Sequence, residues 1–168
     1  MQNLVDKVKE TITHYCMLEK NDKVLVSISG GPDSVFLLYS LTTLSKELRV
    51  NITAFHLDHM TRGGQSKKDA LFVKGLCERK GIKLISRKEN AKKWSKREGC
   101  SFQEGARILR LKYLNEAAME YNIDKIAIGH NADDNIETLL MNLIRGTGLR
   151  GLAGIDPVSG KMIRPLIG

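Results

Sequence analysis

The chain has 168 residues, 42% of them hydrophobic and 27% charged. That composition excludes a disordered tail, a collagenous repeat and a disulfide-stapled miniprotein, and suits a single domain, 1–168, that buries roughly 70% of the surface its unfolded chain exposes. Lys and Arg number 27 against 19 Asp and Glu, a net charge of +8, and residues 79–98 alone, with nine basic and two acidic side chains, carry +7 of it, so affinity for a polyanion is assigned to that stretch.

In chain order, Leu4, Val5, Val8, Ile12 and Tyr15 fall at helical spacing and predict an amphipathic helix ending before Asn21-Asp22. Residues 23–28 are a short β-branched run stopped by Ser29-Gly30-Gly31-Pro32, which reads as a buried parallel strand entering a tight turn. The same alternation follows: helix 35–48, strand 50–57, helix 65–80, strand 82–86, helix 102–121, strand 125–129 and helix 133–144. Gly146, Gly148, Gly151, Gly154 and Pro157 mark a loop-rich exit, and 161–168 reads as a final short edge strand. This βα alternation predicts an α/β fold, a doubly wound parallel sheet with helices on both faces and its ligand beyond the carboxyl ends of the strands.

No apolar run approaches the roughly 18 residues of a membrane helix, and Asp6, Lys7, Lys9 and Glu10 interrupt any signal-peptide core, so no membrane association is expected. Cys16, Cys77 and Cys100 are odd in number and far apart, which suits a reducing cytoplasm and no structural zinc.

The sharpest motif is Ser29-Gly30-Gly31-Pro32-Asp33-Ser34, between strand and helix, where unpaired helix N–H groups attract anions. Gly30 and Gly31 permit positive φ and close approach to a phosphate, Pro32 suits the first helical turn, and the hydroxyls of Ser29 and Ser34 can donate to phosphate oxygens. Asp33, where a Walker loop would place lysine, would repel phosphates unless a divalent cation bridges them, which points to a Mg²⁺-nucleotide; the alternative is a Gly-Pro turn with a capping serine. His130-Asn131-Ala132-Asp133-Asp134-Asn135-Ile136-Glu137 also follows a strand and opens a helix. Asp133, Asp134 and Glu137 can share a face there, with Leu139, Leu140 and Leu143 turned to the core, although acids in a first turn also simply complement the helix dipole.

Arg107 and Arg110, at i and i+3, can reach one anion together, or lie solvated on their helix. His56-Leu57-Asp58-His59 does not read as a metal cluster, because successive strand residues face opposite ways and a single site is not expected to use them all; His56 either neighbours a nucleotide or is an ordinary polar strand end. In the basic stretch, Trp94 either stacks on RNA, with Lys92, Lys93, Lys96 and Arg97 on phosphates, or packs inward from a solvated helix.

Together these residues resemble the PP-loop ATP pyrophosphatases and, among them, the tRNA-Ile lysidine synthase family. The resemblance extends to His59-Met60-Thr61-Arg62-Gly63 with Ser66, to Glu104, Ala106, Arg107 and Arg110, to 129–140, to 145–152 and to Arg164-Pro165-Leu166; Leu111 departs from it where relatives usually carry an aromatic. It implies an adenine nucleotide alpha hydrolase-like catalytic domain, lacking the C-terminal tRNA-binding domains of relatives. The activity implied is a ligase that uses ATP and Mg²⁺ to join L-lysine to C2 of the wobble cytidine of CAU-anticodon tRNA-Ile, with AMP and pyrophosphate released. On that resemblance Asp33, Arg110, His130 and Asp134 are catalytic; Ser29 to Ser34, His56 and Arg107 bind ATP, with Asp33 meeting Mg²⁺ through the nucleotide. Asp134 and Glu137 bind lysine, Lys92, Lys93, Lys96 and Arg97 bind tRNA, and a homodimer is kept open. The alternatives are another PP-loop tRNA-modifying enzyme of thiolase type, whose Cys-x-x-Cys pairs this sequence lacks, and a non-enzymatic adenine-nucleotide-binding module.

Overall fold

The computed structural model describes residues 2–61, 65–144 and 154–168. Helices α1 (Gln2–His14), α2 (Pro32–Leu48), α3 (Gln65–Lys80), α4 (Ala91–Glu98), α5 (Phe102–Glu120) and α6 (Ala132–Ile144) alternate with strands β1 (Lys23–Ser27), β2 (Asn51–Asp58), β3 (Lys83–Lys88) and β4 (Lys125–Ala127), and a hairpin of β5 (Val158–Ser159) and β6 (Met162–Ile163) follows. One sheet runs β3-β2-β1-β4-β6-β5, parallel except for β5, which pairs antiparallel with β6.

Side chains alternate across this sheet, so the apolar runs of its inner strands supply two cores. Val24, Val26, Ile28, Ala54 and Ala127 face α1, α2 and α3, where Val8, Leu37, Leu41 and Val73 meet them. Leu25, Phe55, Leu57, Ile85 and Ile126 face the opposite way, onto Leu109, Leu114 and Ala117 of α5. The doubly wound arrangement follows, and each fully buried side chain of this kind contributes about 1.5–3 kcal/mol. Among the described residues no helix is long and apolar enough to cross a membrane.

Three local expectations are corrected, and the open alternatives for Trp94 are resolved. The segment 161–168 is not the sheet edge: Gly160 (φ +58°) and Lys161 close a two-residue hairpin that places β6 between β4 and β5. Helix α2 begins at Pro32, with Gly31 as its cap, which brings Asp33 and Ser34 into the first turn. The basic stretch holds an eight-residue helix, α4, capped by the Asn90 side chain on Lys93 N and ended at Gly99 in the left-handed region. It buries Ala91 and Ser95, one turn apart, and its Trp94 packs inward: a β-carbon on Gly105 of α5 would lie 3.2 Å from the indole Cε3. Finally, Leu140 and Leu143 do not reach the core but are 52% and 49% exposed, and no residue of α6 is buried, because among the described residues this helix lies against no strand as extensively as α2 and α5 do.

The strand order reverses between β1 and β4. The chain leaves β1 towards α2 and β4 towards α6 on the same edge, so residues 28–34 and 128–134 flank the crevice where open α/β sheets hold their ligands.

Candidate active site

The loop between β1 and α2 is held by its own serines. Ser34 Oγ accepts from Ser29 N at 3.1 Å and donates to the Gly31 carbonyl at 2.9 Å, which leaves Ser29 as the donor in their 3.1 Å hydroxyl contact; Gly31 N donates to Ser29 Oγ at 3.3 Å. The hydroxyls expected to meet a phosphate therefore set the shape of the loop; in the first α2 turn Pro32 has no N–H and Val35 N donates to the Gly31 carbonyl at 3.1 Å, which leaves the N–H groups of Asp33 and Ser34 as the donors at the helix start. Only Gly30 (φ +98°) needs glycine's conformational freedom; Gly31 is extended at φ −73°. Gly129 meets this loop from β4, where a β-carbon would lie 3.3 Å from both Cα and N of Ser34.

At the start of α6, Asn131 and Asp134 form a reciprocal cap: Asn131 N donates to Asp134 Oδ2 at 2.9 Å, and Asp134 N donates to Asn131 Oδ1 at 3.0 Å. One Asp134 oxygen is thus committed to the helix end, yet the residue still faces the crevice. His130 receives at Nδ1 a hydrogen bond from Arg164 Nε at 3.4 Å. Arg164 follows β6 and also donates to the Asp156 carbonyl.

Three adjoining cavities share Arg110. Ser29, Asp33, Ser34, Gly129, His130 and Asp134 line one of about 220 Å³. His56, Asp58, His59 and Asp69 line a second of about 110 Å³ beside Ser29. The third, about 620 Å³, holds Arg107, His59, His130 and Arg164. His56 is 5% exposed, with Nδ1 donating to the Ile28 carbonyl at 2.8 Å, so it both braces β1 and faces the small cavity. His56 and Asp58, two apart, share a face of β2, and His59 joins them against the alternation because β2 ends at Asp58 and Met60 turns at φ +51°, its N–H held by Asp58 Oδ1 at 2.8 Å.

The third cavity is lined by no carboxylate, unlike the other two. Burial first, then Arg110, lowers the His59 pKa to about 4, and its Nδ1 is buried without a hydrogen bond. Burial, then Arg164, pushes His130 down; burial, then Arg107, pushes Arg110 below the usual guanidinium value. Three arginines and two neutral imidazoles around one opening suit an anion with charge on several oxygens.

Among the described residues, no group of three or more His, Cys, Asp or Glu is poised to hold a metal, whereas Asp33 and Asp134 open on the same cavity. Such a donor set fits Mg²⁺ held mainly by nucleotide oxygens and one or two carboxylates.

Glu137 is exposed on α6, one turn beyond Asp134. Lys92, Lys93 and Lys96 line a separate groove of about 530 Å³, while Arg97 donates from Nε to Glu98 Oε1 at 2.8 Å. Sequence reasoning missed His59, Asp69 and Arg164 as site residues; the available signal for Arg164 was its place just after a strand. Arg62 and Gly63, and 145–152, lie outside the described residues.

A family model described as a PP-loop domain matches residues 2–168. The chain is 44% identical over 165 residues to a tRNA(Ile)-lysidine synthase of Clostridioides difficile, covering 98% of this chain and 36% of that protein. It is 43% identical over 164 residues to one of Caldanaerobacter subterraneus, covering 98% and 35%. It therefore spans about a third of the length of these curated relatives. Among solved structures, the U34-tRNA thiolase NcsA from Methanococcus maripaludis, with its 4Fe-4S cluster, matches with a TM-score of 0.77 at 26% identity over 99% of this chain and 58% of that one. The NH3-dependent NAD synthetase of Campylobacter jejuni matches at 0.56 and 17% identity, over 99% and 65%, a likeness of fold alone.

Proposed function

Because the chain belongs to the PP-loop domain family, we propose that it is the nucleotide-binding catalytic part of a cytoplasmic ligase that uses ATP to join L-lysine to C2 of the wobble cytidine of CAU-anticodon tRNA-Ile. The observation that carries this reading is the convergence of the Ser29–Ser34 loop with Arg107, Arg110, Arg164 and His130 on adjoining cavities at the sheet's switch point, in a chain 44% identical to a lysidine synthase. In the first step O2 of the cytidine attacks the α-phosphorus of ATP and pyrophosphate departs. In the second the lysine ε-amine attacks C2, loses a proton, and AMP leaves with O2.

Each group has work suited to its place. The N–H groups of Asp33 and Ser34 in the first turn of α2 receive the phosphates, and the Asp33 carboxylate, with Asp134 nearby, would hold Mg²⁺, which supplies charge neutralisation at the departing pyrophosphate. Arg110, at the junction of all three cavities, and Arg107 offset charge developing at the α-phosphate. His56 and the small cavity beside Ser29 receive the nucleoside end. A lysine ε-ammonium, with a reference pKa of about 10.4, must lose a proton before it attacks. Since both His59 and His130 are held neutral by burial and arginine, recognition of the ammonium falls to Asp134 and Glu137 at the start of α6.

The thiolase likeness supports a rival, sulfur transfer to tRNA. Cys16, exposed after α1, and Cys77, buried in α3, belong to no metal-binding group among the described residues, so the residues present do not fit an iron–sulfur cluster. Incubation with ATP, Mg²⁺, radiolabelled L-lysine and unmodified CAU-anticodon tRNA decides: AMP release with lysine incorporation is expected, and AMP release without it overturns the lysine assignment.

A further inference from the structure

The lysine groove and the arginine cavity share a wall. Thr61 and Phe102 line both, so the groove of Lys92, Lys93 and Lys96 adjoins the cavity of Arg107, Arg110 and His130 with Phe102 between them. Phe102 is the first residue of α5, fixed behind the Ser101 cap, whose hydroxyl accepts from Glu104 N at 3.2 Å. Phe102 is nevertheless 42% exposed, and Met60, which also lines the groove, is 52% exposed. With Trp94 turned inward, Phe102 is the aromatic that stands beside the lysines.

We propose that Phe102 is the stacking platform of a single-stranded RNA groove, holding a splayed base at the mouth of the arginine cavity while Lys92, Lys93 and Lys96 follow the backbone. The inference rests on the RNA-modifying reading and adds a specificity-determining residue to it. An exposed ring on a rigid helix beside three ammonium groups matches the two parts of single-strand recognition, stacking on a π-face and phosphate contact. An acidic peptide would use the charge and leave the ring idle, and a duplex presents no base face.

The test is fluorescence-detected binding, without ATP or lysine, of a short single-stranded RNA centred on CAU, its duplex, and an oligoglutamate. The wild-type chain is expected to prefer the single strand. Phe102→Ala should weaken that binding about tenfold or more with an unchanged salt slope, Phe102→Leu should behave like alanine, and Phe102→Trp should retain affinity and have its emission quenched by RNA. Because leucine keeps the apolar bulk but not the ring face, the comparison holds even if alanine lowers stability. Unchanged binding by Phe102→Ala, wild-type binding by Phe102→Leu, or duplex or oligoglutamate binding as tight as the single strand overturns the inference. Lysine incorporation fails or succeeds independently of this assay, so loss of that reading is distinguishable from loss of this one.

Discussion

Gly129 lies against Ser34 so closely that a β-carbon would sit 3.3 Å from the serine's Cα and N, joining the end of β4 to the anion loop after β1. Gly129→Ala must push the two apart by a few tenths of an ångström. We expect the variant to fold with a melting temperature lowered by only a few degrees, and ATP-dependent AMP formation to fall about tenfold or more, since sub-ångström misplacement of reacting groups is costly. Gly31→Ala is the counterpart. Its β-carbon would meet only Ser29 Oγ, at 3.5 Å, at an ordinary φ, so stability should be unchanged while nucleotide affinity falls if phosphates approach the backbone there. Melting curves and AMP release check both; a Gly129→Ala enzyme with wild-type turnover would show that the loop does not depend on this contact.

Asp33→Ala should remove Mg²⁺-dependent turnover while leaving tRNA retention largely intact, because the carboxylate opens on the anion cavity and the lysine groove is elsewhere. AMP release and filter retention of tRNA are compared across Mg²⁺ concentrations. Wild-type AMP release by the variant would place the cation on other groups.

The two crevice-forming loops were legible in the sequence because both lie between a clear strand and a clear helix, where α/β topology leaves little choice. The two cores followed from the same alternation: Leu25 and Val26 are adjacent and face opposite helices. What pattern could not supply came from tertiary geometry. His59 joins His56 only because β2 stops at Asp58 and Met60 turns, and α4 is one short, charged helix whose burial rests on Ala91, Ser95 and Trp94. The leucines of α6 have helical spacing, but spacing does not say whether a sheet lies beneath them. Asp134 shows both readings of one residue, a helix cap and a wall of the anion cavity.

The salt dependence of tRNA binding should divide the basic residues. Replacing Lys92, Lys93 or Lys96 by Gln should reduce the log–log slope by about 0.7–0.9 for each phosphate that lysine neutralises, whereas Arg97→Gln should reduce it less, since Glu98 already offsets that charge. Binding titrations over a range of salt read the slopes. A triple lysine variant with an unchanged slope would put the tRNA on another face.

His59 gives the pH dependence a direction. Its folded pKa, about 4, lies below the ordinary 6.5, so between these values the unfolded chain binds the proton and the folded chain does not. Its contribution to stability is complete above pH 6.5 and is lost progressively as pH falls towards 4. His59→Asn should therefore flatten the fall of melting temperature over that window. Nucleotide phosphates beside Arg110 should raise the His59 pKa, so ATP binding near pH 5 should take up protons, measurable by calorimetry in buffers of different ionisation heat. Proton release instead would mean that the phosphates lie away from His59.

Glu137 and Asp134 are expected to separate the two proposed chemical steps. Glu137 is exposed and Asp134 is held in the helix cap, so their removal should not look alike. Glu137→Gln should leave adenylation of tRNA nearly intact and slow lysine transfer about tenfold at low lysine, with adenylated tRNA accumulating; since roughly 1.4 kcal/mol corresponds to tenfold, one ammonium contact covered by substrate suffices. Because the missing interaction is with the incoming amine, raising lysine should restore much of the rate. Asp134→Asn changes the acceptor of Asn131 N and the cavity proposed to hold the phosphates, so it should lower the melting temperature and slow both steps, with little rescue by lysine. Rapid-quench separation of adenylated from lysine-bearing tRNA distinguishes the two variants. If Glu137→Gln slows adenylation and transfer equally and excess lysine has no effect, its carboxylate acts on the nucleotide or on the helix start, and recognition of the amine belongs to another group.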